Sequence, residues 1–454
     1  MFVFLKCVKA FCGILSSNQF FIAFCCKMWI MKIHIDIDSF FVSAARIVEP
    51  SLEGKPVAIG GRSDTKIFEH DASSQMVDFQ NSGSFVPTFY KAYEERDDDL
   101  SSFVDERGRV RGILTTASYE ARAYGVKTAM RIAEALQLCP HLIIKAPNMS
   151  LYQKLSHELH DFLSLNIPLV EQASIDEFYG DLGGWVADED VLEFIDILRH
   201  RIKKELKLPV SIGAGHTKYI AKLATNFAKP FGSKMVRREE MRAFVWDIPV
   251  TEFPGVGCSM REKLHASGIY TLGELLERKE RVYALGPYAK ELYKRVSGEK
   301  DDILTPHRRR KSIGISRTID PLYDRVELVR RVHVLARHLA FAVLKLGVMP
   351  TNYHLSLRYE MGKKSHASVN STRLFSESFF DRLCVQLLYQ ADVYKRLQVI
   401  RISIHCGSFT RESKKELDLT TFDEDMLKRK LSESTYKARE KYGLGILKWG
   451  SELY

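Results

Sequence analysis

Two short stretches carry carboxylates in an arrangement suited to metal-dependent chemistry. "MKIHIDIDSFF", residues 31 to 41, reads as a strand, with His34, Asp36 and Asp38 on one face and Ile33, Ile35 and Ile37 on the other. A charge in mid-strand is costly unless it is paired or holds a metal, so Asp36 requires partners. Asp38, just before "SFFVSAARI", is placed to cap a helix. "SIDEF", residues 174 to 178, supplies Asp176 and Glu177. Adjacent strand residues face opposite ways, so these two converge only at a strand end or tight turn, which the nearby Gly180 and Gly183 suit. Held together, Asp36, Asp176 and Glu177 would bind two magnesium ions about 3.5–4 Å apart, the arrangement that serves phosphoryl transfer. A solvated acidic loop is the alternative.

Other pieces point toward phosphate. "YEARAYG" sets Tyr119 and Arg122 three apart on one helical face, suited to a hydrogen bond and a charge on a triphosphate. "FAKP" ends a helix with Lys229, a second cation for the same ligand. "FPGVG", residues 253 to 257, is a Pro/Gly turn whose bare N–H groups could meet a DNA phosphate without reading sequence. Taken singly, each fits an ordinary surface cation or helix–helix turn equally well.

The elements that must position these residues belong to a multidomain chain. Its 454 residues predict three or four domains at about 100–200 residues each. Lys plus Arg (67) exceed Asp plus Glu (57), and the net charge of +10 favours a polyanionic partner. Four of the eight cysteines, Cys7, Cys12, Cys25 and Cys26, precede residue 31, and Cys139, Cys258, Cys384 and Cys406 stand singly. That pattern offers neither a zinc site nor a disulfide framework, and suits a reducing cytoplasm. Residues 1 to 30 are apolar but interrupted by Lys6, Lys9 and Lys27. With no unbroken span of about 20 apolar residues, they predict an appendage rather than a membrane segment. Strand and helix patterns then alternate, as in a mixed α/β (α+β) sheet with helices on one face. Periodicity lapses from about 63 to 111, where "QNSGSF" and "EERDDD" mark an insertion.

In order, "HIDIDSFF", "SYEARAYGVKTAM", "ASIDEF", "GAGHTKYIAKLATNFAKPFG", "FPGVG" and "RKSIGISRT" resemble the Y-family translesion DNA polymerases, nearest the DNA polymerase IV branch. The resemblance implies a right-hand polymerase with a ferredoxin-like palm (31 to 39 and 149 to 236), fingers (40 to 148), a helix-hairpin-helix thumb (237 to 300), a linker (301 to 311), an α/β little finger (312 to 410) and a C-terminal tail (411 to 454). It implies Asp36, Asp176 and Glu177 as catalytic metal ligands with the Ile37 carbonyl nearby, and two Mg2+. Phe41 falls at the position of an aromatic gate against ribonucleotides, and Tyr119, Arg122, Lys229 and Thr116 at triphosphate contacts. Gly255 and Gly257 fall in the thumb, Arg308, Arg309, Arg310 and Lys311 in the linker, and Arg317, Lys395, Arg396 and Arg401 in the little finger, where they would contact DNA. The implied partners are primer-template DNA and deoxynucleotides, the implied state a monomer in the cytoplasm. "KKELDLTTF", residues 414 to 422, faintly echoes a sliding-clamp peptide without its glutamine. Arg131 stands where the branch commonly has proline. A catalytically silent DNA-binding relative and a nucleotide cyclase on a similar palm are the rival readings.

Overall fold

In the computed structural model, which describes residues 31–61, 66–69, 103–104, 108–300, 303–306, 310–410 and 422–452, the first strand, β1 (Lys32–Ile37), is buried over its whole length. Residues 1 to 30 and most of the insertion lie outside the described residues. After β1 come α1 (Phe40–Val48), β2 (Val57–Gly61), β3 (Ile113–Ala117), α2 (Tyr119–Ala123), α3 (Ile132–Leu138), β4 (Ile143–Lys145) and α4 (Met149–Asn166). Then follow β5 (Leu169–Gln172), β6 (Glu177–Asp181), α5 (Val191–Leu206), β7 (Val210–Gly215), α6 (Lys218–Ala228) and β8 (Ser233–Val236). The helices α7 (Met241–Val245), α8 (Cys258–Ala266), α9 (Leu272–Glu277), α10 (Lys279–Ala284) and α11 (Pro287–Val296) lead to β9 (Ser312–Leu322). The chain closes with α12 (Arg325–Leu346), β10 (Asn352–Tyr359), β11 (Lys364–Asn370), α13 (Glu377–Ala391), β12 (Val399–Gly407) and α14 (Phe422–Tyr442).

The described residues divide into two units, the first holding those up to Asp38 with Ser156–Pro306. Its sheet runs β5-β6-β1-β7-β8, with β1 antiparallel to both neighbours. The helices α5 and α6 pack on it, which is why β1 is buried although its sequence alternates. Two glycines let α6 lie directly on the strand. A Cβ at Gly213 would collide with the Ala221 carbonyl and the Thr225 amide, and one at Gly215 would come within 2.8 Å of Ile220. Thr217 starts α6, its hydroxyl accepting from the Ile220 amide at 3.2 Å. Beyond the sheet, α7 to α11 gather around Phe253, Leu264, Leu272, Leu275 and Leu292. Thr271 and Glu274 form a reciprocal capping box at the start of α9.

The second unit holds Ser39–Leu155 and the described residues after 306. Its smaller sheet runs β3-β2-β4, and a four-stranded antiparallel sheet runs β11-β10-β12-β9. Alternation along β10 and β12 buries Tyr353, Leu355, Leu357, Ile402 and Ile404 under α12 and α13 and leaves the other face open. The insertion touches this core early. Ile67 and Phe68 are buried in it, Arg330 donates to the Phe68 carbonyl at 3.1 Å, and the Arg331 guanidinium lies 5.0 Å from the Phe68 ring. The segment expected as a tail carries α14, fastened by buried pairs of Arg439 with Glu377 at 2.6 Å and Arg337 with Glu452 at 2.7 Å.

Because α6 reaches β7 only where the side chain is a hydrogen, Gly213→Ala should lower stability by ~1–3 kcal/mol, the usual cost of overpacking. Thermal unfolding checks this against Gly450→Ala, where a Cβ meets nothing within 4 Å. Equal melting of the two variants contradicts the packing argument.

Candidate active site

Asp36 and Glu177 are directly opposite in the antiparallel β1–β6 pair, so their side chains emerge on one face. Asp176 lies just before β6, in the turn between β5 and β6. The Ser174 hydroxyl shapes that turn, accepting from the amides of Asp176 and Glu177 at 3.2 and 3.0 Å and donating to the Asp176 carboxylate at 2.5 Å. The Ile37 amide donates to the Asp176 carbonyl at 3.0 Å, stitching the turn to the end of β1. The expected strand-end geometry is therefore present, built by serine rather than by Gly180 or Gly183. Gly180 instead admits Ile33 and Ile167, each of which would stand 3.0 Å from a Cβ there.

Three acidic groups so close repel one another, and α6 answers with cations. Lys229 Nζ lies 2.7 Å from Asp36, and Lys222 Nζ lies 2.5 Å from Glu177. One turn further back, Lys218 pairs with Glu171 of β5 at 2.8 Å and sits over the Tyr179 ring. Between these lysines, Thr225 Oγ1 is 3.0 Å from His34 Nδ1, while His34 Nε2 lies 3.8 Å from Glu177. Burial pushes the Asp36 carboxyl up to about 7 against the pull of Lys229, and the charges of Glu177 and Asp176 add to the rise. Burial raises Asp176 as well. It would raise Glu177, but His34 and Lys222 outweigh it and hold that carboxyl well below the usual range. Since burial holds His34 down at about 4, the imidazole is neutral near pH 7.

Asp38 turns out not to cap α1. The N-cap is Ser39, left-handed at φ 46°, with no side-chain cap bond. Asp38 is buried and accepts from the Ser211 hydroxyl at 2.9 Å and the Phe231 amide at 2.8 Å, tying β7 and the segment after α6 to the end of β1.

Among the described residues, no three acidic, imidazole or thiol groups stand close enough to grip an ion in this arrangement. The donor chemistry nevertheless fits a divalent cation. All three groups offer hard oxygen, and Asp36 and Asp176 are raised because their buried charge is under-compensated.

The remaining expected residues fall elsewhere. Phe41 in α1, Thr116 on β3, and Tyr119 and Arg122 on α2 belong to the second unit. There the Arg122 guanidinium lies 4.9 Å from the Tyr119 ring and its Nε donates to the Ala117 carbonyl at 3.0 Å. Gly255, at φ 98°, and Gly257, the N-cap of α8, form the hairpin before that helix. Tyr288 donates to the Gly255 carbonyl at 2.7 Å, and nothing lies within 4 Å of a Cβ at Gly257. Arg308 and Arg309 lie outside the described residues, as do residues 414 to 421 of the clamp-like stretch. Phe422 packs against the C-terminal core. Arg401 is on the open sheet face, opposite Arg358, which in turn faces Lys364. Arg317 is not with them: its partner across the ladder is Ile402, so it shares the helix-covered face. Lys395 and Arg396 are exposed in the loop before β12, with Lys395 3.3 Å from Asp392. Sequence reading missed Lys222, Ser174, Arg358 and Lys364, and it placed His34 on the face of Asp36 without giving it a role. Lys222 stands seven residues before Lys229, two helical turns along the same face, a spacing that could have revealed it.

A palm-like sheet with clustered carboxylates, a hairpin of bare amides and a basic open sheet face define the class: an enzyme of phosphoryl transfer on nucleic acid. The impB/mucB/samB family model matches residues 35–226, its HHH motif 238–269 and its C-terminal domain 310–419. A DNA polymerase IV of Listeria monocytogenes serotype 4a (strain HCC23) is 32% identical over 334 residues, covering 72% of this chain and 80% of its own. Another, of Oceanobacillus iheyensis, is 28% identical over 425 residues, covering 91% and 90%. Among solved structures, the Y-family DNA polymerase chimera Dbh-Dpo4(243-245)-Dbh aligns with a TM-score of 0.65 at 23% identity, covering 84% of this chain and 99% of that one. The chain belongs to the Y family of DNA polymerases. Membership implies dependence on a divalent metal.

A proton on Asp36 excludes a metal ion from it. Titrating the polymerase with Mn2+ should therefore give an affinity that is level above pH 7 and falls by ~10-fold per pH unit below it. An affinity independent of pH between 5.5 and 8 contradicts the raised carboxyl.

Proposed function

We propose that the chain is a template-directed, low-fidelity translesion polymerase that adds deoxynucleotides to a primer 3′-OH, with two Mg2+ held by Asp36, Asp176 and Glu177. The observation that carries this is the cluster of three carboxylates in a Y-family chain, Asp36 buried on β1 and Asp176 and Glu177 half-buried at the start of β6. When bound, the ions stabilise charge on the attacking and leaving oxygens of the displacement. Asp36 and Glu177 would hold them from facing strands, Asp176 from the Ser174 turn and Ile37 through its carbonyl. Lys229, Tyr119 and Arg122 would bind the triphosphate, with Thr116 beside them, and Phe41 would exclude a ribose 2′-OH.

The proposed partner is primer-template DNA. Backbone amides at Gly255 and Gly257 would take a phosphate at the start of α8, a contact without sequence information. The row Lys364, Arg358 and Arg401, with Arg310, Lys311, Lys395 and Arg396 and the linker residues Arg308 and Arg309, would follow the backbone through charge. Arg317 is left out of that surface because it faces the helices. A solved neighbour described as an insertion ternary complex of Dbh DNA polymerase supports a substrate of this kind for the fold. No helix among the described residues is long and apolar enough to cross a membrane. A monomer in the cytoplasm completes the reading. The sliding clamp, through residues 414 to 422, is a further proposed partner; of that stretch Phe422 packs against the C-terminal core.

Primer extension paired with DNA binding tests the proposal. Asp36→Ala and Glu177→Ala should each cut incorporation by ~100-fold or more while leaving primer-template affinity nearly intact. Arg401→Ala should do the reverse, weakening affinity and lowering the log–log salt slope by about 0.9. Substantial extension by either carboxylate variant overturns the assignment.

A further inference from the structure

Phe41 does not stand alone. Its ring stacks on Tyr152 with centroids 4.2 Å apart and planes 14° apart. Tyr152 is 1% exposed, and Phe40, 3% exposed, closes on it from the side at 5.7 Å and 55°. Both ends of the stack are anchored. Phe41 lies in the first turn of α1, where the Ser39 hydroxyl donates to the Ala117 carbonyl at 3.2 Å, and in the last turn of that helix Arg46 reaches the Leu52 carbonyl at 3.2 Å and Glu120 at 2.9 Å. Tyr152 lies in the first turn of α4, where the Asn148 side chain accepts from the Leu151 amide at 3.1 Å and the Asn148 carbonyl from the Tyr152 amide at 3.1 Å.

Steric exclusion works only if the wall cannot yield. An aromatic ring with room behind it relieves a clash by rotating about χ1 or χ2, at a cost smaller than the overlap it avoids. A second ring packed flat against it removes that escape, because close-packed interiors resist displacement. We propose that Tyr152 is a specificity-determining positioning residue, the backstop that holds Phe41 in place against a ribose 2′-OH. The proposal rests on the reading of Phe41 as the sugar gate.

The test is single-nucleotide extension by the full-length polymerase on one primer-template, giving kcat/KM for a deoxynucleotide and its ribonucleotide, with melting temperature measured for every variant. The variants are Tyr152→Ala, Tyr152→Leu, Tyr152→Phe and Phe41→Ala. Tyr152→Ala and Tyr152→Leu should lower the deoxy-to-ribo ratio by about 10-fold or more, the scale on which shaped pockets discriminate. Tyr152→Phe, which keeps the ring, should preserve the ratio. Leucine supplies volume without a flat face and covers the case in which alanine unfolds the domain. If Phe41→Ala collapses the ratio while Tyr152→Ala and Tyr152→Leu slow both sugars equally, Tyr152 is merely structural and the proposal is overturned. If Phe41→Ala leaves the ratio unchanged, the gate reading itself fails.

Discussion

The structure turns on three acidic side chains held close together, Asp36 buried and Asp176 and Glu177 half-buried, and on the single helix that compensates them. Like charges opposite one another across a ladder destabilise it, and burial makes each ionised group costlier still. Along α6 and at its C-cap, Lys218, Lys222, Thr225 and Lys229 recur at intervals of four, three and four residues and so form one stripe. That stripe meets Glu171 on β5, Glu177 on β6, and His34 and Asp36 on β1 in turn. The helix can deliver it only because Gly213 and Gly215 let its backbone touch the strand. Compensation by lysine is incomplete, as the raised carboxyls of Asp36 and Asp176 record, and the deficit is what a divalent cation would fill.

The second unit follows a different logic, in which rigidity comes from packing and satisfied polar groups. Its helical additions are placed by buried ion pairs that few alternative dockings could reproduce. Arg439 meets Glu377, to which Trp449 also donates, and Arg337 meets Glu452 and the Leu444 carbonyl. Pairs of this kind add little net stability over apolar contacts, but an unpaired member is heavily penalised, so they select one seating for α14. The same reasoning applies to the short turn at Ile67 and Phe68, whose carbonyl and ring are taken up by Arg330 and Arg331.

Local signals in the sequence were enough for the strand of Asp36, the turn at Asp176 and the helix ending at Lys229, because period and turn chemistry act over a few residues. Partners distant in the chain were not legible. Asp38 resembles a helix cap until Ser211 and Phe231, more than 170 residues away, claim its oxygens. The burial of the polar face of β1 depends on α6, whose Thr225 meets His34, and no property of "KIHIDI" announces it. Arg317 looked like its basic neighbours, but the register against Ile402 decides its face, and register is a pairing fact. Lys222 is legible in principle from its spacing to Lys229, two helical turns along one face.

The central claim is that Asp36, Asp176 and Glu177 are the ligands of the catalytic metals. Anomalous diffraction from crystals of the polymerase with primer-template, a non-hydrolysable deoxynucleotide and Mn2+ tests it directly. The account predicts two peaks about 3.5–4 Å apart among these three carboxylates, with Lys222 or Lys229 drawn away from its present partner. Peaks bound elsewhere, or ions that leave one of the three carboxylates uncoordinated in every site, would contradict it.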